Sequence, residues 1–352
     1  KMSGILSMGA FLKTSESLLV LWDPSYTRRL WCVFELAAFL HSHKHEAKSK
    51  LTIRPTTQGP FNVLLMLAVS LQVILIGLVP DRHKAVLLTS QLTIFIIGVY
   101  VFSATYRSYC YSLFLLSKEL EHFRMEDTKA YCCDVNHEGI LCDRQVISRC
   151  IRTWFGSTEQ FEKVVRTDVL DILTTELSTR FFSYKMCIIS GMPAAWAFMD
   201  SSAAALEAGA FQYGDRPDLP PEEVRRGITW WNARSVQELV RGAGWWLGVV
   251  PVLLLVMLRA ACALRTRRQG CLNVLANLAT LLAGAVVFMA ALMLEQACFF
   301  FASDLLDPYP EFDSMMWAMI LYATICILIA SLAFFFIDVR PKILAKRAGV
   351  RY

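Results

Sequence analysis

The stretch LNVLANLATLLAGAVVFMAALML, residues 272–294, decides the fold of this chain, and MMWAMILYATICILIASLAFFFI, residues 315–337, repeats its pattern. Each stretch runs for about 23 residues without a charged side chain, and about 20 apolar residues are enough for an α-helix to cross the hydrocarbon core of a bilayer. We therefore expect both stretches to be membrane-spanning helices.

The composition of the whole chain agrees with a membrane protein. Of its 352 residues, 55% are hydrophobic and 18% are charged, with a mean hydropathy of +0.44. This balance is too apolar for an ordinary soluble domain. The formal net charge is +5, but no basic stripe interleaved with aromatic residues indicates nucleic-acid binding.

Four earlier apolar stretches bring the predicted number of spans to about six. In order, the six are residues 61–79, 85–104, 181–199, 243–258, 272–294 and 315–337. Gly191 and Pro193 interrupt the third, and the fourth is short and ends at Arg259, so a re-entrant or interfacial structure is an alternative for either. The predicted fold is a mainly α polytopic helical membrane bundle.

The charged flanks of the spans predict the orientation of the chain. Basic residues follow the fourth and sixth spans, at Arg265, Arg267 and Arg268 and in the tail 338–352, whereas acidic residues occupy the segment 304–313. Since arginine and lysine are enriched on the cytosolic side, we expect both termini and the insert 105–180 to be cytosolic. The protein is then an integral membrane protein with the lipid bilayer as its first partner.

The predicted outer segment, residues 200–242, contains several large apolar side chains at roughly helical spacing. They are Trp230, Trp231, Val236 and Leu239. Tryptophan is enriched at membrane–water interfaces, so this pattern predicts an interfacial helix in front of the fourth span.

A short soluble-type pattern precedes the first span. Residues 18–22 form a continuous apolar run that predicts a strand buried on both faces of a parallel sheet, and Asp23-Pro24-Ser25 ends it with turn residues. A helix is predicted over residues 27–40, in which Trp31 and Glu35 lie on one face. Glu35 is then held near the carboxyl end of the strand, where open α/β sheets bind ligands.

The sequence of this strand and helix resembles part of a known domain family. The string Trp31-Cys32-x-x-Glu35-Leu36, after the apolar strand and Tyr26, resembles the second half of a Toll/interleukin-1 receptor (TIR) domain. The wider string from Leu21 to Phe39 resembles large dinoflagellate and related protist membrane proteins that carry a TIR-like segment before several spans. The resemblance covers residues 1–45 and is followed by a linker at 46–60.

The resemblance implies a possible activity. In TIR domains that cleave NAD, the glutamate of this motif is the catalytic carboxylate, which matches Glu35, and Tyr26 and Trp31 would then contact the nucleotide. NAD would be a substrate, and no other cofactor is implied. The first strands of a complete TIR domain would lie before Lys1. The alternative is that Glu35 belongs to a packed helix without catalysis.

The insert 105–180 shows helical spacing of its apolar residues. Leu113, Leu116, Leu120 and Phe123 form one such row, Val146, Cys150, Ile151 and Trp154 a second, and Phe161, Val165 and Val169 a third. Ser157 and Gln160 resemble a capping box in front of the third row. We expect a small helical subdomain that extends the spans or packs against the TIR-like segment.

The insert also contains a cluster of possible zinc ligands, namely Cys132, Cys133, His137, Cys142 and Cys150. Thiolates and imidazoles suit zinc, but the cluster lacks the CxxC pairs typical of structural zinc sites. Thiols without a metal are the alternative, and we expect the 11 cysteines to be free rather than organised into disulfides.

Three functions remain open at this stage. The first is a multi-pass membrane protein whose TIR-like and helical cytosolic parts act in signalling, through cytosolic protein partners or self-association, without catalysis of its own. The second is a membrane-tethered NAD hydrolase that uses Glu35. The third is a transporter or channel, for which Glu295 is the first residue to test, although its place at a span end predicts solvation by water or headgroups.

Overall fold

The computed structural model describes residues 10–43, 46–56, 59, 63, 67, 70, 84–129, 142–181, 183–214, 218–266, 270–306 and 312–336. Most of the predicted first span and the whole basic tail lie outside these residues. The described residues fall into two compact units: the first unit, within residues 1–61 and 108–181, and the second unit, within residues 62–107 and 182–339.

The first unit combines two strands with several helices. Its strands are β1 (Leu18–Trp22) and β2 (Leu51–Pro55), and its helices are α1 (Leu30–His43), α2 (Ala47–Lys50), the C-terminal part of α3 (Lys84–Glu121), α4 (Asp143–Phe155), α5 (Thr158–Val164) and α6 (Leu170–Phe181). A short π-helical segment at Val165–Val169, called a π-turn below, joins α5 to α6 within a continuous helix.

The strand β1 pairs in parallel with β2, in register from Leu18 opposite Leu51 to Trp22 opposite Pro55, and α1 lies between them in sequence. The predicted strand is therefore confirmed. The expectation that both of its faces are buried is wrong, because Val20 and Trp22 are buried whereas Leu19 is 60% exposed and Leu21 57% exposed. In the described part of this unit the helices cover one face of the sheet.

The predicted apolar rows of the insert contribute all their members except the partly buried Trp154 to the core of the first unit. Leu113, Leu116, Leu120, Phe123, Val146, Cys150, Ile151, Phe161, Val165 and Val169 are all buried. The helix α5 begins after Ser157, whose hydroxyl oxygen accepts a hydrogen bond from the Gln160 backbone N–H at 3.1 Å. The predicted cap is confirmed, and α1 packs against the π-turn and against α4.

The second unit contains long helices. They are the N-terminal part of α3, α7 (Tyr184–Ser190), α8 (Met192–Tyr213), α9 (Pro221–Ala243), α10 (Val250–Ala263), α11 (Cys271–Leu306) and α12 (Phe312–Phe336). Three helical stretches in the described residues are long and apolar enough to cross a membrane: Pro221–Ala263, Cys271–Phe301 and Met315–Phe336. These correspond to the fourth, fifth and sixth predicted spans.

The second unit confirms the predicted break in the third span, since Gly191 ends α7 and Pro193 stands in the first turn of α8. A helix is also present at the predicted Trp230 and Trp231, and its interfacial position stays a prediction. A π-turn at Gly244–Val249 joins α9 to α10, so the segment with Trp230 and Trp231 continues into the fourth span as one helix of 43 residues.

Glycines set the close packing of this long helix. An added Cβ at Gly248 would lie 2.5 Å from the Cys326 Cβ, and one at Gly244 would lie 2.9 Å from the Ala323 Cα. The two glycines are four residues apart, which is the small-residue spacing that lets membrane helices approach closely. Because these glycines have no side chain, the π-turn packs directly against α12.

The helices α8 and α9 form a second close contact, a helical hairpin. An added Cβ at Gly209 would lie 2.5 Å from the Trp231 Cβ, and one at Gly242 would lie 2.5 Å from the Phe198 Cβ. The hydroxyls of Ser202 and Ser235 share a buried hydrogen bond at 2.6 Å.

The cysteines depart in part from the expectation of free thiols. Cys32, Cys142, Cys150, Cys187, Cys271, Cys298 and Cys326 are free. The expectation is wrong for Cys110 and Cys262, each of which is in a disulfide.

Candidate functional site

The first candidate site lies at the carboxyl end of β1. A short 3-10 turn at Tyr26–Arg28 follows the strand, and α1 begins at Leu30. The buried face of α1 includes Val33 and Phe34, and the Phe34 ring stacks on Trp154 with a centroid distance of 5.4 Å. This packing fixes the rotation of α1, so Glu35 and Trp31 occupy half-buried positions beside the core.

Tyr26 and Trp31, the predicted nucleotide-contacting residues, have different surroundings. The Tyr26 hydroxyl donates a hydrogen bond to the Cys32 carbonyl oxygen at 3.1 Å, so the buried phenol is tied to α1. The Trp31 ring packs edge-on against Phe34 at 6.3 Å. The structure brings Tyr26, Cys32 and Glu35 close enough to interact electrostatically. Trp31 instead contacts the buried Phe34 ring.

The electrostatics of this cluster distinguish Glu35 from Asp23. Burial raises the pKa of Glu35, and its carboxylate makes no side-chain hydrogen bond or ion pair with any residue that the structure describes. Burial likewise raises the pKa of the Cys32 thiol, and burial, with the nearby Cys32 and Glu35, raises the pKa of Tyr26. At Asp23 burial is outweighed by hydrogen bonds from Ser25 and the charge of Arg29, which lower its pKa.

Sequence reasoning missed the basic residues that frame this site. Arg29 contacts the Asp23 carboxylate at 2.7 Å and lies over the Tyr26 ring at 5.7 Å. Arg28 pairs with Glu119 of α3 at 2.5 Å. The adjacent arginines were visible in the sequence, but their partners come from a turn residue and from a helix 91 residues away, which local spacing does not reveal.

The zinc hypothesis rests mostly on residues outside the described part of the chain, since Cys132, Cys133 and His137 lie there. Cys142 occupies the N-cap position of α4, and Cys150 is buried in the third turn of this helix, where burial raises the pKa of its thiol. The rise along eight helical residues is about 12 Å, so these two sulfurs do not reach one ion together. Among the described residues no group of three or more ligands could hold a metal.

A second polar site lies within the second unit and corrects the expectation for Glu295. Its side chain is 7% exposed rather than solvated, and Glu295 Oε1 lies 2.5 Å from Arg241 Nε of α9. Glu295 Oε2 accepts a hydrogen bond from the Trp245 indole N–H at 3.2 Å. Arg241 also lies 3.5 Å from Glu238, which pairs with Arg234 at 2.7 Å.

Arg107 forms a third polar group, also in the second unit. Its Nε donates to the Leu264 carbonyl oxygen at 2.9 Å, and its Nη1 donates to the side-chain oxygens of Asn273 and Asn277 at 2.9 and 2.5 Å. Arg107 is 5% exposed. It satisfies carbonyl groups at the C-terminal end of α10 and joins α3 to the α10–α11 connection, which is a structural rather than a chemical role.

Comparison of this chain with models of protein families, with curated proteins and with solved structures finds no match.

Proposed function

We propose that this is a multi-pass integral membrane protein whose first unit is a TIR-like, cytosolic module for protein interaction, without catalysis of its own. The membrane part of the proposal is supported by the three apolar helical stretches of the second unit. The interaction part is supported by one observation, the uncovered apolar face of the strand β1.

This face is formed by alternate residues of β1. Leu19 and Leu21 point away from the core, with 60% and 57% of their surfaces exposed, and Arg54 is exposed at the β2 position paired with Leu21. Parallel strands are normally covered on both faces, because crossover helices pack on each side. Exposed leucines on such a strand favour a protein surface as the missing cover, with the Arg54 guanidinium adding a polar anchor at the rim.

Site-specific photo-crosslinking in native membranes tests this proposal. A photo-reactive residue at position 21 should form defined cross-links to one polypeptide, either a second copy of the chain or another protein. The same residue at the exposed position of Gln145 on α4 should not form them. Cross-links to lipid alone, or equal products from positions 21 and 145, would contradict the proposal.

One observation favours a second candidate function, cleavage of NAD by Glu35. The Glu35 carboxylate is half-buried and unpaired among the described residues, which leaves it available to stabilise the cationic sugar that forms as nicotinamide departs. The test is NAD consumption by the purified full chain. Turnover that is lost in Glu35→Gln and kept in Glu119→Gln supports this function; no turnover, or equal turnover in Glu35→Gln, removes it.

A further inference from the structure

The long helix Pro221–Ala263 contains an irregularity whose cause is a proline. In an α-helix the Leu247 carbonyl oxygen accepts a hydrogen bond from the N–H of residue 251. That residue is Pro251, which has no N–H and whose ring crowds this carbonyl group. The π-turn at Gly244–Val249 ends two residues before the proline, and irregularities of this kind are frequent at functional sites. We call the segment Leu247–Pro251 the proline break.

The Leu247 carbonyl receives a donor from another helix. The Tyr184 hydroxyl of α7 donates a hydrogen bond to it at 2.7 Å. A second hydrogen bond runs in the opposite direction, since the Trp246 indole N–H donates to the Ile188 carbonyl oxygen of α7 at 2.9 Å. A carbonyl group that has lost its α-helical donor is costly in an apolar environment, and side chains of neighbouring helices compensate for it at prolines in membrane helices. The two hydrogen bonds therefore connect α7 to the proline break.

The connection between α7 and α8 lies against the same break. Gly191 ends α7 and directly precedes α8, and an added Cβ at Gly191 would lie 2.8 Å from Val250 Cγ1 and 3.5 Å from Trp246 Cδ1. The hairpin of α8 and α9 is thus joined to α10 through the π-turn and to α7 through Gly191. A change in the angle between the hairpin and α10 has to pass through both connections.

We propose that the proline break is a hinge in the long helix and that α7 is a latch that holds this hinge at one angle. In the latched state the two hydrogen bonds between α7 and the break are formed. In the released state both are broken, α7 leaves the break, and the α8–α9 hairpin changes its angle to α10. The π-turn is the pivot, because it packs directly against α12 at Gly244 and Gly248.

The latch is suited to reversible release. Its polar contacts are two hydrogen bonds between uncharged groups, and such bonds contribute only modestly to stability. The released state therefore lies within reach of a ligand that binds it more tightly than the latched state. Hinges commonly concentrate a movement in a few residues at the end of a helix, which is where Val250 and Pro251 stand in α10.

Hydrogen–deuterium exchange of the full chain in lipid nanodiscs tests the latch. Tyr184→Phe keeps the aromatic ring, which lies 5.2 Å from the Phe334 ring, but removes the hydroxyl donor. Amides in the segment 244–252 should then exchange about five- to tenfold faster, whereas those of α11 and α12 should keep their wild-type rates. Tyr213→Phe is the matched control, because the Tyr213 hydroxyl contacts the exposed Gln212 side chain, and it should leave the segment unchanged.

A second substitution shows whether the hydroxyl acts through the proline break. Pro251→Ala restores the N–H, so the Leu247 carbonyl regains an α-helical donor and the Tyr184 hydroxyl becomes dispensable. Tyr184→Phe should therefore change exchange by less than about twofold when it is combined with Pro251→Ala. Equal effects of Tyr184→Phe with and without Pro251→Ala would overturn the proposal.

The hinge movement has its own measurement. Genetically encoded spin labels at the exposed positions 229 of α9 and 317 of α12 report the place of the hairpin relative to the pivot by pulsed electron paramagnetic resonance. Tyr184→Phe should broaden the distance distribution or add a second distance, and Tyr213→Phe should not. An unchanged distribution in Tyr184→Phe, unchanged exchange at 244–252, or an equal rise in exchange throughout α8–α12 each excludes a latched hinge. The proposal does not rest on an interaction role for the first unit.

Discussion

The two units of this protein differ in which side chains they leave exposed. In the first unit the fully buried side chains include large apolar groups such as Leu30, Phe34 and Ile147. In the second unit Leu282, Met293 and Phe335 are 63%, 66% and 81% exposed, while Glu295 and Asn277 are buried. Water drives apolar groups inward, whereas lipid tails solvate leucine as well as a protein interior does. The exposed apolar side chains of the second unit fit with its three helical stretches that are long and apolar enough to cross a membrane.

The largest effect is expected from a cavity in the first unit. Phe34→Ala removes a fully buried ring that stacks on Trp154 and should lower the free energy of unfolding by about 3–5 kcal/mol. Leu19→Ala, on the exposed face of β1, is the matched control and should change it by less than about 0.5 kcal/mol. Denaturant titration of the full chain, followed by hydrogen exchange in α1, measures both values. Equal losses would remove the distinction between the two faces of the sheet.

In the second unit the corresponding loss should come from a polar contact. Arg107→Ala leaves the Leu264 carbonyl and the Asn273 and Asn277 side chains without their donor, and a stability loss of about 2–3 kcal/mol is expected. Arg107→Lys should recover less than half of it, because an ammonium group does not reproduce the fork of the guanidinium. Full recovery in Arg107→Lys, read from unfolding in mixed detergent micelles, would contradict the geometric role of Arg107.

A smaller loss of stability is expected where two helices approach closely at a glycine. At Gly248 an added Cβ would meet Cys326 at 2.5 Å, so Gly248→Ala should destabilise the second unit by about 1–3 kcal/mol. Gly98→Ala is the control, since nothing lies within 4 Å of its Cβ position, and alanine there should be neutral or stabilising by up to about 1 kcal/mol. The same unfolding assay tests the pair, and a neutral Gly248→Ala would disprove close packing on α12.

Sequence alone was sufficient for the features that local periodicity determines. The strand at residues 18–22, the three buried rows of the insert and the Ser157 cap follow from spacing of two or of three to four residues. The fifth and sixth predicted spans also match helices of adequate length and apolarity. The spacing Gly244-x-x-x-Gly248 is a small-residue motif that also predicts close helix packing from the sequence.

Features that depend on distant partners were beyond the sequence. Glu295 lies at the end of an apolar stretch, and this position predicts solvation of its carboxylate. The carboxylate is instead buried, because it pairs with Arg241, which lies 54 positions earlier in the chain. The burial of β1 was misjudged for a related reason. A continuous apolar run does not show whether one or both faces of the strand have a cover. Catalysis by Glu35, the interaction role and the TIR-like resemblance stay predictions.

The smallest change in stability is expected for Glu35→Gln. Its sign shows whether the Glu35 carboxylate is an unfavourable buried charge or a favourable part of the packing. Because burial raises the pKa of Glu35 in the folded protein, the folded state binds this proton more tightly than the unfolded state does, where the pKa is about 4.3. Stability contributed by this group is therefore present at low pH and falls as pH rises from the unfolded pKa through the folded one. At neutral pH, Glu35→Gln should stabilise the first unit by a few tenths to about 1 kcal/mol, since partial exposure screens the charge.

The pH dependence of this gain decides what Glu35 contributes. The gain should fade in acid, where the wild-type carboxyl is already neutral, and Glu119→Gln, which loses a contact with Arg28, should show no gain at any pH. Thermal unfolding across a pH series measures the difference. A destabilised Glu35→Gln at all pH values would mean that the carboxyl group is part of the packing. A stabilised variant that consumes no NAD, beside a wild type that does, would instead mean that the fold accepts an unfavourable charge for the sake of chemistry.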